Sequence, residues 1–221
     1  MYKIIKNIEK NFSLKNSRLE RKIKVNKNQI NLFKSYFQGI GFFKKYPDKI
    51  INSIYFDDKN LNFARSNING EFYRIKPRVR WYDNLFDKIN HEFKIKIGFN
   101  GYKSTIYNIF SEEKKFDRKL NLIKEFYQKK FNMDLTEVLT VKYERSYLEH
   151  PSGVRLTLDK NISSQMINKN SYFLMPYEVI EFKYNKTMDN FFRSNIFGKL
   201  KNLPLRMTKC SKYVECLLRQ I

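Results

Sequence analysis

The segment F-Y-R-I-K-P-R-V-R-W-Y, Phe72 to Tyr82, reads as a β-strand with two very unequal faces. Successive side chains on a strand point to opposite sides. Arg74, Lys76, Arg78 and Arg80 therefore share one face, and Tyr73, Ile75, Pro77, Val79 and Trp81 share the other. Neighbouring cations repel one another, so such a face is expected either in open water or opposite a polyanion. Pro77 has no N–H to give a ladder, so the strand is expected to be bulged or to lie at an edge there.

The same division recurs on both sides of this segment. Arg18–Val25 sets Arg18, Glu20, Lys22 and Lys24 against Leu19, Arg21, Ile23 and Val25. His91–Ile97 sets Glu92, Lys94 and Lys96 against Phe93, Ile95 and Ile97. Gly153–Asp159 sets Arg155, Thr157 and Asp159 against Val154, Leu156 and Leu158. Tyr177–Tyr184 sets Glu181 and Lys183 against Ile180, Phe182 and Tyr184, and Val141–Tyr147 lines up Tyr143, Arg145 and Tyr147. A single charged strand face is ordinarily just solvated. The recurrence predicts a sheet that curls with its charged faces inward and its apolar faces against helices.

Ile50–Phe56 reads as another strand. Helical spacing covers Asn28–Phe43, with Ile30, Phe33, Phe37 and Ile40 on one side, and Glu112–Phe131, with Ser111 as its cap and Phe116, Leu120, Ile123 and Tyr127 on one face. Asp57 and Asp58 can cap a short helix through Ala64, and helices are expected over Met188–Leu200 and Ser211–Leu218. The predicted class is α+β, an antiparallel β-barrel with helices packed outside. Residues 1–15 read as a solvated basic lead-in, and 16–221 as one domain, a length that suffices for one core.

Lys and Arg number 44 against 22 Asp and Glu, a net charge of +22 that calls for an anionic partner. AT-rich codon usage would also enrich Lys, Asn and Ile, so where the charges sit carries more weight than their sum. Nucleic acid is not expected, because no motif for it is present. Met1–Lys15 lacks the apolar run of a signal peptide, and no stretch approaches the roughly 20 apolar residues that span a bilayer, so a cytoplasmic protein is expected. Cys210 and Cys216 fit no common zinc spacing and are expected to be reduced thiols. His91 and His150 have no partner constellation.

Carboxylates interrupt the cationic faces: Glu20, Glu92, Asp159 and Glu181. Hard divalent cations prefer such oxygens and bridge phosphates, while Arg and Lys neutralise charge on a transferring phosphoryl group. The pattern therefore suits a metal-phosphate site better than a merely adhesive basic surface. Arg65, Arg74 and Lys76 are candidate phosphate contacts on charge and position.

Eight short pieces occur in one order: R-L-E-R-K-I at Arg18–Ile23, S-I-Y-F-D at Ser53–Asp57, R-V-R-W-Y at Arg78–Tyr82, E-F-K at Glu92–Lys94, Y-E-R at Tyr143–Arg145, G-V-R-L-T-L-D at Gly153–Asp159, V-I-E-F-K at Val179–Lys183 and K-C-S-K-Y at Lys209–Tyr213. From Arg18 to Leu217 the chain resembles the polyphosphate polymerase domain of the vacuolar transporter chaperone (VTC) complex and its bacterial relatives, which belong to the CYTH-like triphosphate tunnel metalloenzymes. The resemblance implies an enzyme that moves the γ-phosphate of ATP onto inorganic polyphosphate with Mn²⁺ or Mg²⁺. It implies Lys22, Arg78, Arg80, Lys94, Arg145, Arg155, Lys183, Lys209 and Lys212 as phosphate-holding residues. Glu181 would be the main metal ligand, with Glu20 and Glu92 in support, and Tyr143 and Ser211 would touch the phosphate chain. The membrane helices and the phosphate-sensing helical domain of eukaryotic members have no counterpart in these residues.

Two other readings stand beside it. A tunnel phosphohydrolase would use the same cations, but usually needs paired Glu-x-Glu strands, whereas Glu20 is followed by Lys22. A non-catalytic module would bind polyphosphate or nucleic acid through charge and aromatics alone. The sequence leaves the oligomeric state open.

Overall fold

The structure is a computed structural model that describes residues 1–11, 18–85, 88–98, 100–200, 203 and 205–220. Its centre is one antiparallel sheet. The strands are β1 (Leu19–Asn26), β2 (Phe43–Asp57), β3 (Tyr73–Tyr82), β4 (Asn90–Ile97), β5 (Asn100–Ile106), β6 (Thr136–Glu149), β7 (Arg155–Met166), β8 (Tyr172–Leu174) and β9 (Tyr177–Tyr184). Their order is β1-β9-β7-β6-β2-β3-β4-β5, with β8 appended to β7.

The expected class holds, as a curled half-barrel. Among the described residues β1 and β5 do not pair by backbone. The open side is instead crossed by side chains and by the C-terminal segment. Lys94 on β4 donates to Glu20 on β1 over 2.7 Å. Met207 bridges to Ile23, and Thr208 N–H donates to the Lys22 carbonyl over 2.8 Å. Pro77 sits where the sequence suggests: β2 pairs with β3 only from Arg78 to Tyr82, so the first half of β3 has one neighbour, β4.

Alternation builds three apolar clusters. Outward residues of β2, β3 and β4 (Ile54, Ile75, Val79, Phe93 and Ile95) pack under α1 (Tyr2–Asn11) and α4 (Phe116–Phe131). Outward residues of β1, β7 and β9 (Ile23, Leu156, Leu158, Ile180 and Phe182) pack under α2 (Ile30–Gly39) and the helical run Lys186–Leu200. The third cluster lies inside the curl. There Ile51, Leu139, Val141 and Val179 meet Tyr213, Val214 and Leu217 of α6 (Lys212–Leu218). One end of the concave face is thus filled by apolar side chains, and the charged end remains open.

Several expectations change. Tyr2–Asn11 is not a solvated run but a helix whose Ile5 and Ile8 are buried on the first cluster; residues 12–15 lie outside the described residues. The long helix starts at Phe116 rather than Glu112, and Ser111 does not cap it. Asn108 and Phe110 have positive φ (49° and 52°), which turns the chain before a helix can begin. Met188–Leu200 is broken into α5 (Asp189–Phe191), a π-turn over Phe192–Ile196 and a 3₁₀ piece over Phe197–Leu200. Asp57 caps α3 (Asn62–Ile68) as expected: its carboxylate accepts from Phe63 N and Ala64 N, and from the Tyr213 hydroxyl over 2.6 Å, tying α3 to α6. Among the described residues no helix is long and apolar enough to cross a membrane. Both cysteines are free and buried.

Candidate active site

Strand register places the charged residues in rows. Across the sheet, Lys22 lies opposite Glu181, Glu181 opposite Thr157, and Arg145 opposite Asp159. Arg78 lies opposite Glu92 and Lys76 opposite Lys94. The curl turns these rows toward one another. Lys22, Lys76, Arg78, Arg80, Lys94, Tyr143, Arg145, Glu181, Lys183, Ser211 and Lys212 line one open cavity, together with Tyr55.

The arginines are held in place before any ligand arrives. Arg80 is buried; its Nε donates to Ser53 Oγ over 3.1 Å and its Nη2 to the Tyr143 hydroxyl over 3.0 Å. Arg78 donates from Nε to Glu92 Oε2 over 2.7 Å and from Nη1 to the Tyr55 hydroxyl over 3.1 Å. Tyr55 in turn stacks on Tyr213 at 4.8 Å. Arg145 forms a bidentate pair with Asp159 at 2.6 and 2.8 Å, and Lys212 reaches the same carboxylate from α6. A fixed guanidinium fork matches phosphate oxygens in pairs.

The lysines divide into paired and unpaired. Burial disfavours the Lys22 and Lys212 ammoniums, but Glu181 and Glu20 for the first, and Asp159 for the second, outweigh it and hold both pKa values above the ordinary lysine value. Lys76 is different. Burial, with Lys94, Lys22, Lys96 and Arg74 nearby, pushes its pKa well below the usual value, and its Nζ donates to Ser211 Oγ over 2.9 Å. Ser211 also caps α6, accepting from Val214 N. Ser211 therefore serves as helix cap and cavity wall at once.

Glu181 is 4% exposed and has three cations around it at a stand-off: Lys183 at 3.6 Å, Arg145 at 3.7 Å and Lys22 at 3.8 Å. Burial opposes its charge, but Lys183, Lys22, Lys94 and Arg145 outweigh burial and keep its carboxyl well below the usual carboxylate range. Its Oε1 accepts no hydrogen bond. Glu20 lies near enough to feel the Glu181 charge, and Lys94 outweighs partial desolvation and holds its pKa below the ordinary value. Glu92 departs from the expected metal-supporting role, because Arg78 occupies one of its oxygens and Lys103 of β5 the other. Among the described residues no three His, Cys, Asp or Glu side chains form a ready-made cage for a metal ion. The donor set that remains, Glu181 with Glu20, still fits a hard divalent cation that draws its other ligands from phosphate and water.

Glu20 and Glu92 lie outside the cavity lining, and four expected basic residues stand apart from it. Arg155 is exposed at the start of β7, opposite Lys183. Arg74 donates to the Gly98 carbonyl over 2.7 Å, where it ties the start of β3 to the β4–β5 turn. Arg65 on α3 and Lys209 before α6 are exposed. Conversely, Tyr55, Asp159 and Lys103 take part without having been assigned roles. Tyr55 and Asp159 were open to the alternation rule, as the inward ends of Ile51-Ser53-Tyr55 and Arg155-Thr157-Asp159. Lys103 was not, because β5 carries no apolar alternation that would mark it as a strand.

The VTC domain family matches residues 10–219 of the chain. Among solved structures, a protein of Pyrococcus horikoshii OT3 is 16% identical and superposes with a TM-score of 0.54, covering 92% of this chain and all of its own. HpAC1 from Hippeastrum, an adenylyl cyclase candidate described as revealing a dominant triphosphatase activity, is 13% identical with a TM-score of 0.56, covering 89% of this chain and 93% of its own. A conserved protein of Pyrococcus furiosus is 14% identical with a TM-score of 0.55, covering 90% and 99%. At these identities the likeness is one of fold. No curated protein sequence matches the chain.

Proposed function

Because the chain belongs to the VTC-domain family and has the fold of the triphosphate tunnel proteins, we propose that it is an enzyme acting on chains of phosphates, a polyphosphate polymerase that moves the γ-phosphoryl group of ATP onto inorganic polyphosphate. The observation that carries this reading is the convergence of eight Lys and Arg side chains on one cavity around Glu181.

Phosphoryl transfer asks the protein chiefly for positioning and for charge stabilisation. Arg78, Arg80 and Arg145, anchored by Glu92, Ser53, Tyr143 and Asp159, need no reorganisation to grip phosphate oxygens. A polymerase has to hold donor and acceptor phosphates together, and here cations come from both arms of the curl: Arg78, Arg80 and Lys94 from β3 and β4, and Lys22 and Lys183 from β1 and β9, with Arg145 on β6 between them. Glu181 and Glu20 are the residues that would hold Mn²⁺ or Mg²⁺, which would supply further neutralisation of the phosphate oxygens. Burial of the cavity's charges away from bulk water strengthens each of these interactions.

Incubation of the pure protein with ATP and Mn²⁺, followed by gel separation, is expected to give long phosphate chains and stoichiometric ADP. Absence of both chains and ADP across several metals would refute an ATP-consuming enzyme. A tunnel triphosphatase is the second reading, favoured by the shared fold of HpAC1. It predicts orthophosphate from tripolyphosphate with no chain growth. Against it stands the use of Glu92 by Arg78 and Lys103, which leaves few free carboxylates for a hydrolytic metal site.

A further inference from the structure

The strands that carry Arg80 and Arg145 run on past the cavity. Two residues beyond each arginine, on the same face, come Tyr82 and Tyr147. Tyr143 and Arg145 both line the cavity and Leu148 packs into an outer cluster, so alternation turns Tyr147 inward. Tyr82 packs against the inner cluster and lies opposite Ile51. Strand β2 sets Tyr46 opposite Tyr147, and Lys49 opposite Arg145. Helix α6 covers Val138, Leu139 and Val141 at the other end of β6, so the tyrosines stand at the open end of the curl.

These rings form a corner. Tyr46 and Tyr147 have centroids 6.0 Å apart and planes at 86°. Lys49 Nζ stands 5.5 Å from the centroid of the Tyr82 ring. Burial pushes the Tyr147 hydroxyl up to about 12, and the charged or ionisable groups that bear on it are Arg145, Tyr82, Tyr143 and Arg80. The corner is therefore continuous with the cationic wall. Tyr46 is 54% exposed, and Tyr147 and Tyr82 are half-buried, so ring surface is left for a ligand.

A bare chain of phosphates has no use for aromatic rings. A nucleoside triphosphate needs both surfaces, cations for its phosphates and a flat apolar face for its base. Two residues of strand span about 7 Å, a gap that a ribose bridges. We propose that Tyr46, Tyr147 and Tyr82 form a nucleobase subsite, which stacks the base of a nucleoside triphosphate whose phosphates lie on Arg80 and Arg145. This rests on the phosphate-holding reading of the cavity and adds the other end of the donor. It also sets the donor's direction, with the base at the open end and the terminal phosphate inward, toward Glu181. Stacking accepts any base and favours the larger ring, so purines should be preferred without a choice between them.

The test is calorimetric titration of ATP, GTP, UTP and tripolyphosphate. In the unaltered protein ATP and GTP should bind alike, and several-fold more tightly than UTP; equal affinity for all three would overturn the proposal. Tyr46→Leu with Tyr147→Leu should weaken ATP about tenfold or more and leave tripolyphosphate unchanged. Tyr46→Phe with Tyr147→Phe, which keeps the rings, should bind ATP as the unaltered protein does. Undiminished ATP binding by the folded leucine pair would overturn the subsite, as would an equal loss of ATP and tripolyphosphate. The outcome separates from that of the polymerase reading. Loss of ATP affinity in the leucine pair of a protein that makes no polymer would uphold the subsite and reject the polymerase. Polymer synthesis with ATP affinity unchanged in that pair would do the reverse.

Discussion

His91 and Glu92 are consecutive on β4 and meet opposite fates. His91 points outward, wholly buried among Phe93, Phe126 and Tyr127, with Nε2 2.8 Å from the Tyr127 hydroxyl. Burial pushes its pKa down to about 3, so it is carried as a neutral ring. Glu92 points inward and is just as buried, yet it stays charged. Burial opposes its ionisation, but Arg78, Arg80 and Lys103 overcome it and hold the carboxyl well below its usual range. At this pair the convex side carries a neutral ring, and the concave side keeps a charge by pairing it. A fold that keeps so many charges out of water, with cations in excess, is organised for an anion that completes the balance.

The largest expected effect comes from breaking a pair on the concave side. Asp159→Asn leaves Arg145 and Lys212 buried without their anion, and should destabilise the protein by about 3–5 kcal/mol in urea or guanidinium unfolding. Leu139→Ala at the apolar end of the same face should cost a similar amount, about 2–5 kcal/mol, through a cavity instead. A far smaller loss in Asp159→Asn would mean that the charged end is looser than its hydrogen bonds indicate.

Glu181→Gln sharpens the contrast between holding a phosphate and processing it. Turnover should fall by about 100-fold or more while tripolyphosphate binding is kept or strengthened, because a repelling carboxylate is removed. Full activity in this variant would argue for a binding module or a different catalytic centre.

On the convex face, pH is the probe. The unfolded chain protonates His91 near 6.5, and the folded protein does so only near 3. Its contribution to stability is therefore complete above pH 6.5 and is lost as pH falls from 6.5 toward 3, by up to about 1.4 kcal/mol per unit. Denaturant titrations of wild type and His91→Gln should diverge over that window; parallel profiles would mean that His91 is not held neutral.

The smallest effect separates the two faces most cleanly. Lys76 is a half-buried cation, and the charges that perturb it are cations. Lys76→Met should raise the stability of the free protein by about 1 kcal/mol and lower tripolyphosphate affinity several-fold. Loss of stability instead would show that the Ser211 contact outweighs the repulsion.

Most of this division was legible in the sequence, because alternation is a local rule. Arg78, Arg80, Lys94, Arg145, Glu181 and Lys183 reach one cavity for the reason their spacing suggests. Legibility failed where position depends on partners far along the chain. Arg65 could not be assigned to a helix side, and it faces away. Glu92 looked available for metal until the register set Arg78 across from it and β5 brought Lys103 alongside. Tyr2–Asn11 is basic enough to pass for a solvated tail, and only docking on α4 and β3 shows why Ile5 and Ile8 are there. The break of the Met188–Leu200 helix likewise has no proline in its sequence to announce it.

The central claim is that the concave cations hold a chain of phosphates. Calorimetric titration of tripolyphosphate into wild type, Arg80→Met with Lys183→Met, and a surface control, Lys114→Met with Lys115→Met, tests it directly. The account predicts one tight, salt-sensitive site that the cavity pair weakens by at least about 100-fold and the surface pair leaves intact. Equal affinity in all three proteins, or loss in the surface pair alone, would contradict it.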